Sequence, residues 1–378
     1  MKELAEVYDT KAELTRFYGN STLAFSGLAP ENLHFLAPGE EGLVNYRLVH
    51  KVAVVPGDPV CKPGTIERVT RSFLDFCTFR GWRVAFYQTT AEYLPAYRAL
   101  KLRPFKIGEE AIIDPQTFTL NGSTMANVRI SVRRAERDNV VIHWYEGEPP
   151  IEVMGQLEQI SEVWLKSKAG QHTSEMGFST GRLDELPATA QRADILAEIP
   201  PLSSASHSIT PRVVTEVAMT SSGEPCAFVT FLPIYGSPVS HATVSGNTCE
   251  IQNWGWTLDL MRRTPDAPPG VIELLLVRAI ERFRLCGAQT VSLGMAAMSD
   301  TQQEMTSSQR QLASFVIDRL HLLQNRNTLF SFKQKFHPRW ESRYIVTNTT
   351  LALPKIALAI LRLRNYLGGG LTRLIFCL

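Results

Sequence analysis

The chain has 378 residues, 44% of them apolar and 20% charged, with a net charge of +2. That length accommodates about two to three domains with substantial cores. The small net charge excludes a global field for nucleic acid, so any anionic partner must meet a local patch. The six cysteines, Cys61, Cys77, Cys226, Cys249, Cys286 and Cys377, include no Cys-x-x-Cys pair and no zinc spacing with histidine, and read as core thiols of a reducing compartment. No window reaches the ~18 uninterrupted apolar residues of a membrane span. The charged start, Met1-Lys2-Glu3-Leu4-Ala5-Glu6, does not read as a signal peptide. The expected location is cytoplasmic, or bound to a membrane surface.

Residues 1–20 read as a leading helix. Gly42 to Leu48 and Lys51 to Val55 are strand-like, with Val and Tyr enriched. Pro56-Gly57-Asp58-Pro59 is a turn. From Thr65 to Arg80, Ile66, Val69, Phe73 and Phe76 fall on one helical face. A helix from Ala91 to Leu100 and a strand from Ile107 to Ile113 follow. Residues 116–150 form a connector with a helical stretch, Asn127 to Asp138. There Arg129, Arg133 and Arg137 stack on one face, as a solvated surface or as an anion-binding face for phosphate. A helix from Gln156 to Lys168 and a polar loop with Glu175-Met176-Gly177-Phe178 come next. Strands are expected at Val213 to Met219, Cys226 to Leu232 and within Asn253 to Met261. The helix Val271 to Leu285 is apolar nearly all round and should be buried. A helix from Ser307 to Leu323 precedes the segment Phe332 to Tyr344. Lys355 to Leu367 interleaves Ile356, Leu358, Ile360, Leu361 and Leu363 with Arg362 and Arg364. This last stretch reads either as an interfacial membrane helix or as a terminal helix packed on the core.

One segment occurs twice. Pro63-Gly64-Thr65-Ile66-Glu67 is matched by Pro269-Gly270-Val271-Ile272-Glu273 after 206 residues (269−63). The same offset carries Gly81 to Gly287, and a strand-like run precedes and follows each copy. A constant offset marks a repeated strand–loop–helix–strand unit. A strand, a glycine-bearing loop and a helix form the geometry in which acetyltransferase-type folds cradle a pyrophosphate with backbone N–H groups. Here Pro265, Pro268 and Pro269 remove three of those donors, and Asp266 adds the wrong charge. Cys61-Lys62-Pro63-Gly64 is no better a nest. A coenzyme A site is therefore not expected.

Several motifs occur in a fixed order: Val55-Pro56-Gly57-Asp58-Pro59, Arg83-Val84-Ala85-Phe86-Tyr87-Gln88, Lys106-Ile107-Gly108-Glu109-Glu110-Ala111, Glu175-Met176-Gly177-Phe178-Ser179, Asp259-Leu260-Met261-Arg262 and Phe332-Lys333-Gln334-Lys335-Phe336-His337-Pro338-Arg339-Trp340. Together, over roughly residues 20–346, they resemble the C-terminal catalytic region of bacterial aminoacyl-phosphatidylglycerol synthases, the lysyl- or alanyl-transferases of multiple peptide resistance factor. The resemblance implies an α/β protein with mixed sheets: tandem acetyltransferase-like folds joined by a basic helical connector. The expected units are 1–115, with its N-terminal helix; the connector 116–150; a catalytic unit 151–346; and an amphipathic tail 347–378. It implies transfer of an aminoacyl group from aminoacyl-tRNA to the hydroxyl of an anionic membrane glycerolipid, with no cofactor, at the inner face of the cell membrane. The large transmembrane flippase region of the full-length family is not among the 378 residues, which suggests a separate transmembrane flippase as partner.

The family's functional positions fall on Glu175, Asp259, Arg262 and Lys335. A carboxylate suits a protonated α-amine, which makes Glu175 and Asp259 candidates. A fixed cation suits an oxyanion or a phosphate, which makes Arg262 and Lys335 candidates. Asp259 and Arg262 can also simply pair with each other. Lys333, Lys335, Arg339 and Arg343 alternate with Phe332, Phe336, Trp340 and Tyr344, a pattern that suits single-stranded nucleic acid or a corner whose aromatics fill the core. Lys333, Arg339, Arg343, Arg133 and Arg137 are the candidate substrate-binding residues. His337 has no identifiable partner and is assigned no role. Two other functions stay open: an acyltransferase using acyl-coenzyme A, and a non-catalytic module that binds a lipid or a partner.

Overall fold

A computed structural model describes residues 2–167, 181–200, 209–243, 246–296 and 326–365. Helix α1 (Lys2–Tyr18) leads to strands β1 (Leu33–Leu36), β2 (Gly42–Val49), β3 (Val52–Pro56) and β4 (Val60–Cys61). Helix α2 (Ile66–Phe79), β5 (Arg83–Thr89), α3 (Leu94–Ala99) and β6 (Arg103–Ile113) follow. Then come α4 (Ala126–Arg137), β7 (Val141–Glu146), α5 (Ile151–Ser167), α6 (Leu186–Ala197), β8 (Val214–Met219), β9 (Pro225–Ile234), β10 (Ser237–Thr243) and β11 (Gly246–Gln252). The last described elements are β12 (Gly255–Arg263), α7 (Val271–Leu285), β13 (Thr290–Ala296), α8 (Arg326–Gln334), β14 (Arg339–Thr347) and α9 (Leu353–Asn365).

The repeated segment builds the same local structure twice. Each copy places a helix between two parallel strands: α2 between β3 and β5, α7 between β12 and β13. Both helices end in the same cap. Gly81 N donates to Thr78 O and Trp82 N to Cys77 O; Gly287 N donates to Arg284 O and Ala288 N to Phe283 O. Every partner pair obeys the 206-residue offset (283−77), and Gly81 and Gly287 both have left-handed φ, 67° and 83°. Glycine takes that conformation without a steric penalty, and the paired bonds satisfy carbonyls that the helix end leaves open. Helix α2 buries Val69, Phe73 and Cys77 at intervals of one turn. Helix α7 is buried on almost every side, with Val271 to Val277, Ala279, Ile280 and Phe283 inside, as its sequence predicts.

Twelve strands form one mixed sheet, ordered β1-β2-β3-β5-β14-β6-β13-β12-β9-β8-β7, with β4 beside β2. Its middle departs from chain order. Strand β14 runs antiparallel between β5 and β6, and β6 runs antiparallel to β13. Helices cover both faces. Helices α4 and α7 pack over one cluster, around Val128, Leu275, Phe283 and Trp256. Helices α5 and α6, with Ala12 of α1, cover another around Leu157, Leu196, Phe228 and Leu260. At the far end, α2 and α3 pack on Ala53, Val55 and Phe86, while α9 packs on Val52, Val54 and Ile345. The described part of the C-terminal tail is thus a core-packed helix, through Leu353, Ile356, Ile360 and Leu363. No described helix is long and apolar enough to cross a membrane.

Candidate functional site

The two parallel strand pairs differ in one respect. Strands β3 and β5 pair from Val52–Arg83 through Pro56–Tyr87, and Gly57 N extends the ladder to Tyr87 O at 2.7 Å. Strands β12 and β13 pair at Gly255–Thr290, Trp256–Val291 and Thr257–Ser292, and no further. Beyond that point both strands leave regular register with their outer neighbours, β12 between Leu258 and Met261 and β13 between Ser292 and Met295. Such irregularities bend a strand and re-aim its side chains. Two hydroxyls take up the freed N–H groups: Leu260 N donates to Thr230 Oγ1 at 3.0 Å, and Gly294 N to Ser292 Oγ at 2.9 Å. The pair therefore opens into a fork, with Asp259 on one arm and Lys333 bonded to the other.

Asp259 lies on the β12 arm, past the last paired residue. Its Oδ1 accepts a hydrogen bond from Gly181 N at 2.6 Å. A Cβ at residue 181 would stand 2.1 Å from Asp259 Oδ2, so any larger residue there would have to push the carboxylate aside. Arg262 is 5% exposed. It donates to the Ser161 hydroxyl of α5, and its guanidinium lies 5.4 Å from the Trp164 ring centre and 5.9 Å from that of Phe228. Glu175 lies outside the described residues, in the stretch between α5 and Gly181.

Lys333 reaches the β13 arm from α8. Its Nζ donates to Met295 O at 3.1 Å, and the side chain is buried. Burial pulls the amine down to about 8, against the opposing pull of Glu110. Lys335 pairs with Glu273 at 3.0 Å and its Nζ lies 5.4 Å from the Phe332 ring centre. Glu273 belongs to the second Pro-Gly-x-Ile-Glu segment. Its counterpart Glu67 pairs instead with Arg71 on the same helix, in the open. The repeat is asymmetric at the position that anchors Lys335.

A buried polar network adjoins the fork. Glu110 Oε1 accepts from Ser292 Oγ at 2.5 Å, and Oε2 accepts from Arg343 Nε at 2.6 Å. The Arg343 and Glu110 side chains are 6% and 3% exposed. Glu341 approaches Arg343 Nη2 at 3.2 Å, and Thr22 Oγ1 donates to Glu110 Oε2 at 3.4 Å. Burial alone would lower the Arg343 pKa; Glu110 and Glu341 outweigh it and leave it raised. The network binds β13, β6 and β14 to one another where the sheet departs from chain order. Glu110 carries no functional role in the sequence reading. Its signal was a pair of glutamates, Glu109 and Glu110, inside an otherwise apolar strand.

The remaining candidates lie elsewhere. Arg339 is exposed and pairs with Glu341 at 2.7 Å. Arg133 and Arg137 are exposed on α4, where Arg137 Nε donates to Arg133 O at 3.3 Å. Arg129 turns away from them, to Leu120 O and Gly122 O. His337 sits opposite Thr124 O at 3.0 Å. It lines a cleft of about 600 Å³ with Asn121, Asn253, Gln289, Phe336 and Arg339. That cleft opens where β12 and β13 begin, so it is not the space between the arms of the fork.

The start of α7, where a pyrophosphate nest would form, is closed. Gly270 has φ 90°, and a Cβ there would stand 2.1 Å from Ser131 O of α4. Val271 N is bonded to Pro268 O and Ala267 N to Thr264 O. A carbonyl oxygen against the helix N-terminus and loop donors already used leave little for a phosphate.

These features define a mixed-sheet α/β protein with helices on both faces and a carboxylate and cations at an opened parallel strand pair. The fold is shared with L-PGS from Bacillus licheniformis, at a TM-score of 0.72 and 24% identity over 95% of this chain and 96% of that one. It is shared more distantly with FemX, at a TM-score of 0.51 and 8% identity over 90% and 93% of the two chains. The family model described as the C-terminal region of phosphatidylglycerol lysyltransferase matches residues 12–347, and the chain belongs to that family. Among curated relatives, the phosphatidylglycerol lysyltransferase of Bacillus subtilis is 27% identical over 349 residues, which is 91% of this chain and 35% of the relative. That of Staphylococcus epidermidis is 25% identical over 348 residues, 91% and 36% of the two chains. The chain thus spans about a third of the length of the curated relatives it matches.

Proposed function

We propose that this chain is an aminoacyltransferase that moves an amino acid from aminoacyl-tRNA to a glycerol hydroxyl of phosphatidylglycerol. The observation that carries the reading is the open fork with Asp259 on one arm and Lys333 on the other, in a chain of the phosphatidylglycerol lysyltransferase family. The amino acid that the curated relatives' names give is lysine. In the reaction, the lipid hydroxyl oxygen attacks the ester carbonyl of the aminoacyl group. A tetrahedral oxyanion forms, and the ester bond to the tRNA ribose breaks. The proton lost by the lipid hydroxyl ends on the ribose oxygen. One ester replaces another.

In this scheme Asp259, held by Gly181, takes the protonated α-amine. Lys333 stabilises the oxyanion in a site where burial strengthens its field. Arg262 and Lys335 hold anionic parts of the two substrates, and Glu175 is a second carboxylate for the aminoacyl group. Arg343 and Glu110 position the fork. The exposed Arg339, Arg133 and Arg137 are the cations available to tRNA phosphates.

The two β–α–β units with matched caps are proposed as tandem acetyltransferase-like folds, 1–115 and 151–346, joined by the basic connector 116–150 and interleaved where β14 enters between β5 and β6. The unit with the open fork carries the chemistry. The outer side of α9 and the turn before it support placement on the inner face of the membrane: Leu351, just ahead of the helix, is 86% and Leu358 47% exposed, with Lys355 exposed and Arg362 half-buried among them. Such a face suits anionic lipid. A separate transmembrane flippase is proposed as the partner that moves the product, on the family resemblance.

An acyl-coenzyme A-dependent reaction is disfavoured by the closed start of α7. The test is transfer of labelled lysine from lysyl-tRNA into the organic phase in the presence of phosphatidylglycerol vesicles. Label in the lipid supports the reading. No label from any aminoacyl-tRNA, or tight binding of coenzyme A, contradicts it.

A further inference from the structure

Arg16 is a buried cation that the fork does not use. Helix α1 carries it into the apolar cluster that includes Ala12, Phe25, Leu232 and Tyr235, and it is 4% exposed. Its Nη2 donates to Thr210 Oγ1 at 2.7 Å. Its guanidinium carbon stands 5.6 Å from the centre of the Tyr235 ring. Among the described residues no carboxylate pairs with it; Tyr235 is the one titratable group that acts on its charge. Among the described residues, the Arg16 Nε and the Tyr235 hydroxyl are both buried without a hydrogen-bond partner. Tyr235 is itself 1% exposed. An arginine stays charged in a protein, and a buried charge without a counter-charge is strongly unfavourable. Buried donors without partners are rare in native proteins, and a bound ion is one of the things that satisfies them.

We propose that Arg16, with the hydroxyls of Thr210 and Tyr235, forms an oxyanion site for a phosphate or phosphodiester group. A guanidinium and two hydroxyls offer several donors around one centre, which suits a tetrahedral oxyanion. One buried cation inside an apolar cluster does not suit a nucleic-acid strand, which is met by many exposed cations along a groove. It suits a single phosphodiester that enters with apolar groups around it. Tyr235 shares its cluster with Leu260 of β12 and with Phe228, beside which the Arg262 guanidinium lies, so the site is on the side of the sheet that carries Arg262. As the subsite for the acceptor lipid's phosphodiester, the assignment rests on the function proposed above; as an oxyanion site it does not.

The test is thermal unfolding of the full chain with three additives: inorganic phosphate, glycerophosphoglycerol (the water-soluble headgroup of phosphatidylglycerol) and a single-stranded CCA oligonucleotide. Chloride at matched ionic strength gives the baseline. A ligand that binds only the folded chain raises its Tm by mass action. Glycerophosphoglycerol is expected to raise Tm by about 3 °C or more near saturation. Arg16→Gln and Tyr235→Phe should each weaken that binding, the first by about tenfold or more. In chloride, Arg16→Gln should unfold no earlier than wild type, because it removes a buried charge that no described carboxylate offsets, while the amide can still donate to Thr210. If Arg16→Gln fails to fold, Tyr235→Phe carries the comparison, since it deletes only a hydroxyl. A matching rise with inorganic phosphate and not with the headgroup keeps the oxyanion site and overturns the lipid source. No rise with either phosphate compound, an equal rise in both variants, or a rise with the oligonucleotide alone overturns the proposal. The readout needs neither aminoacyl-tRNA nor turnover, so its failure is distinct from failure of the transfer assay.

Discussion

Arg343 and Glu110 give the most quantitative test of how the sheet is held together. Their side chains are 6% and 3% exposed and 2.5 Å apart. Arg343→Met leaves the Glu110 carboxylate buried without its cation, and breaking a buried pair this way costs about 3–5 kcal/mol. Replacing both partners by apolar residues of similar size is often nearly neutral. The double variant Glu110→Leu with Arg343→Met should therefore recover at least half of the loss, less the cost of leaving the buried Ser292 hydroxyl without its acceptor. Urea denaturation of the wild type, both single variants and the double variant gives the coupling energy directly. Because β14 is bonded to β5 on one side and β6 on the other, unfolding of the wild type should also be a single transition. A loss under about 1 kcal/mol for Arg343→Met, as for an exposed ion pair, would mean that this pair does not hold the sheet together. So would strict additivity, or two separated transitions.

Other outcomes follow from the same geometry. The Lys333 amine is lowered to about 8 in the folded chain, from 10.5, so its charged form is disfavoured by folding. The penalty is in full force below the folded pKa and fades as pH rises from about 8 to the unfolded value. Stability should thus rise over that alkaline window, and Lys333→Met should flatten the rise; an identical pH profile for the variant would exclude the assignment. The two Pro-Gly segments offer an internal control. At Gly64, with φ 77°, a Cβ meets nothing within 4 Å, whereas at Gly270 it meets Ser131 O at 2.1 Å. Gly64→Ala should cost about 1 kcal/mol for the backbone conformation alone, and Gly270→Ala clearly more; equal losses would show that α4 does not close the start of α7. Co-sedimentation with anionic vesicles tests the exposed apolar side of α9 and the turn before it: Leu351→Glu with Leu358→Glu should reduce binding severalfold, and unchanged binding would remove that face from the membrane.

Local signals in the sequence were sufficient for some of this and silent on the rest. The helix Val271–Leu285 matches its predicted bounds because a glycine at each end and an apolar run between them are local instructions. The matched caps at Gly81 and Gly287 follow from the same repeated residues. Strand β6 begins at Arg103, earlier than its apolar pattern at Ile107 suggests, because β14 pairs along its first residues. The insertion of β14 between β5 and β6 had no local signal, since its pairing joins residues more than two hundred positions apart. For the same reason the alternating cations of residues 332–344 read as one binding strip. In the structure Lys333 and Arg343 turn inward and Arg339 turns out. Helix α6 was readable and missed: Leu186, Ala190, Ala193 and Leu196 keep helical spacing on its buried face. Asp259 was singled out by motif, but the opening of the strands around it depends on register with β9 and β6, which no single segment encodes. The expected helix from Ser307 to Leu323 lies outside the described residues.

Aminoacyl transfer is proposed to take place at the open fork, with Asp259 on its β12 arm. The most direct measurement is the single-turnover rate of lysine transfer from lysyl-tRNA to phosphatidylglycerol, for the wild type and for Asp259→Asn of equal thermal stability. The account predicts a fall of at least about tenfold, equivalent to ~1.4 kcal/mol of transition-state stabilisation. An unchanged rate at matched stability would contradict it.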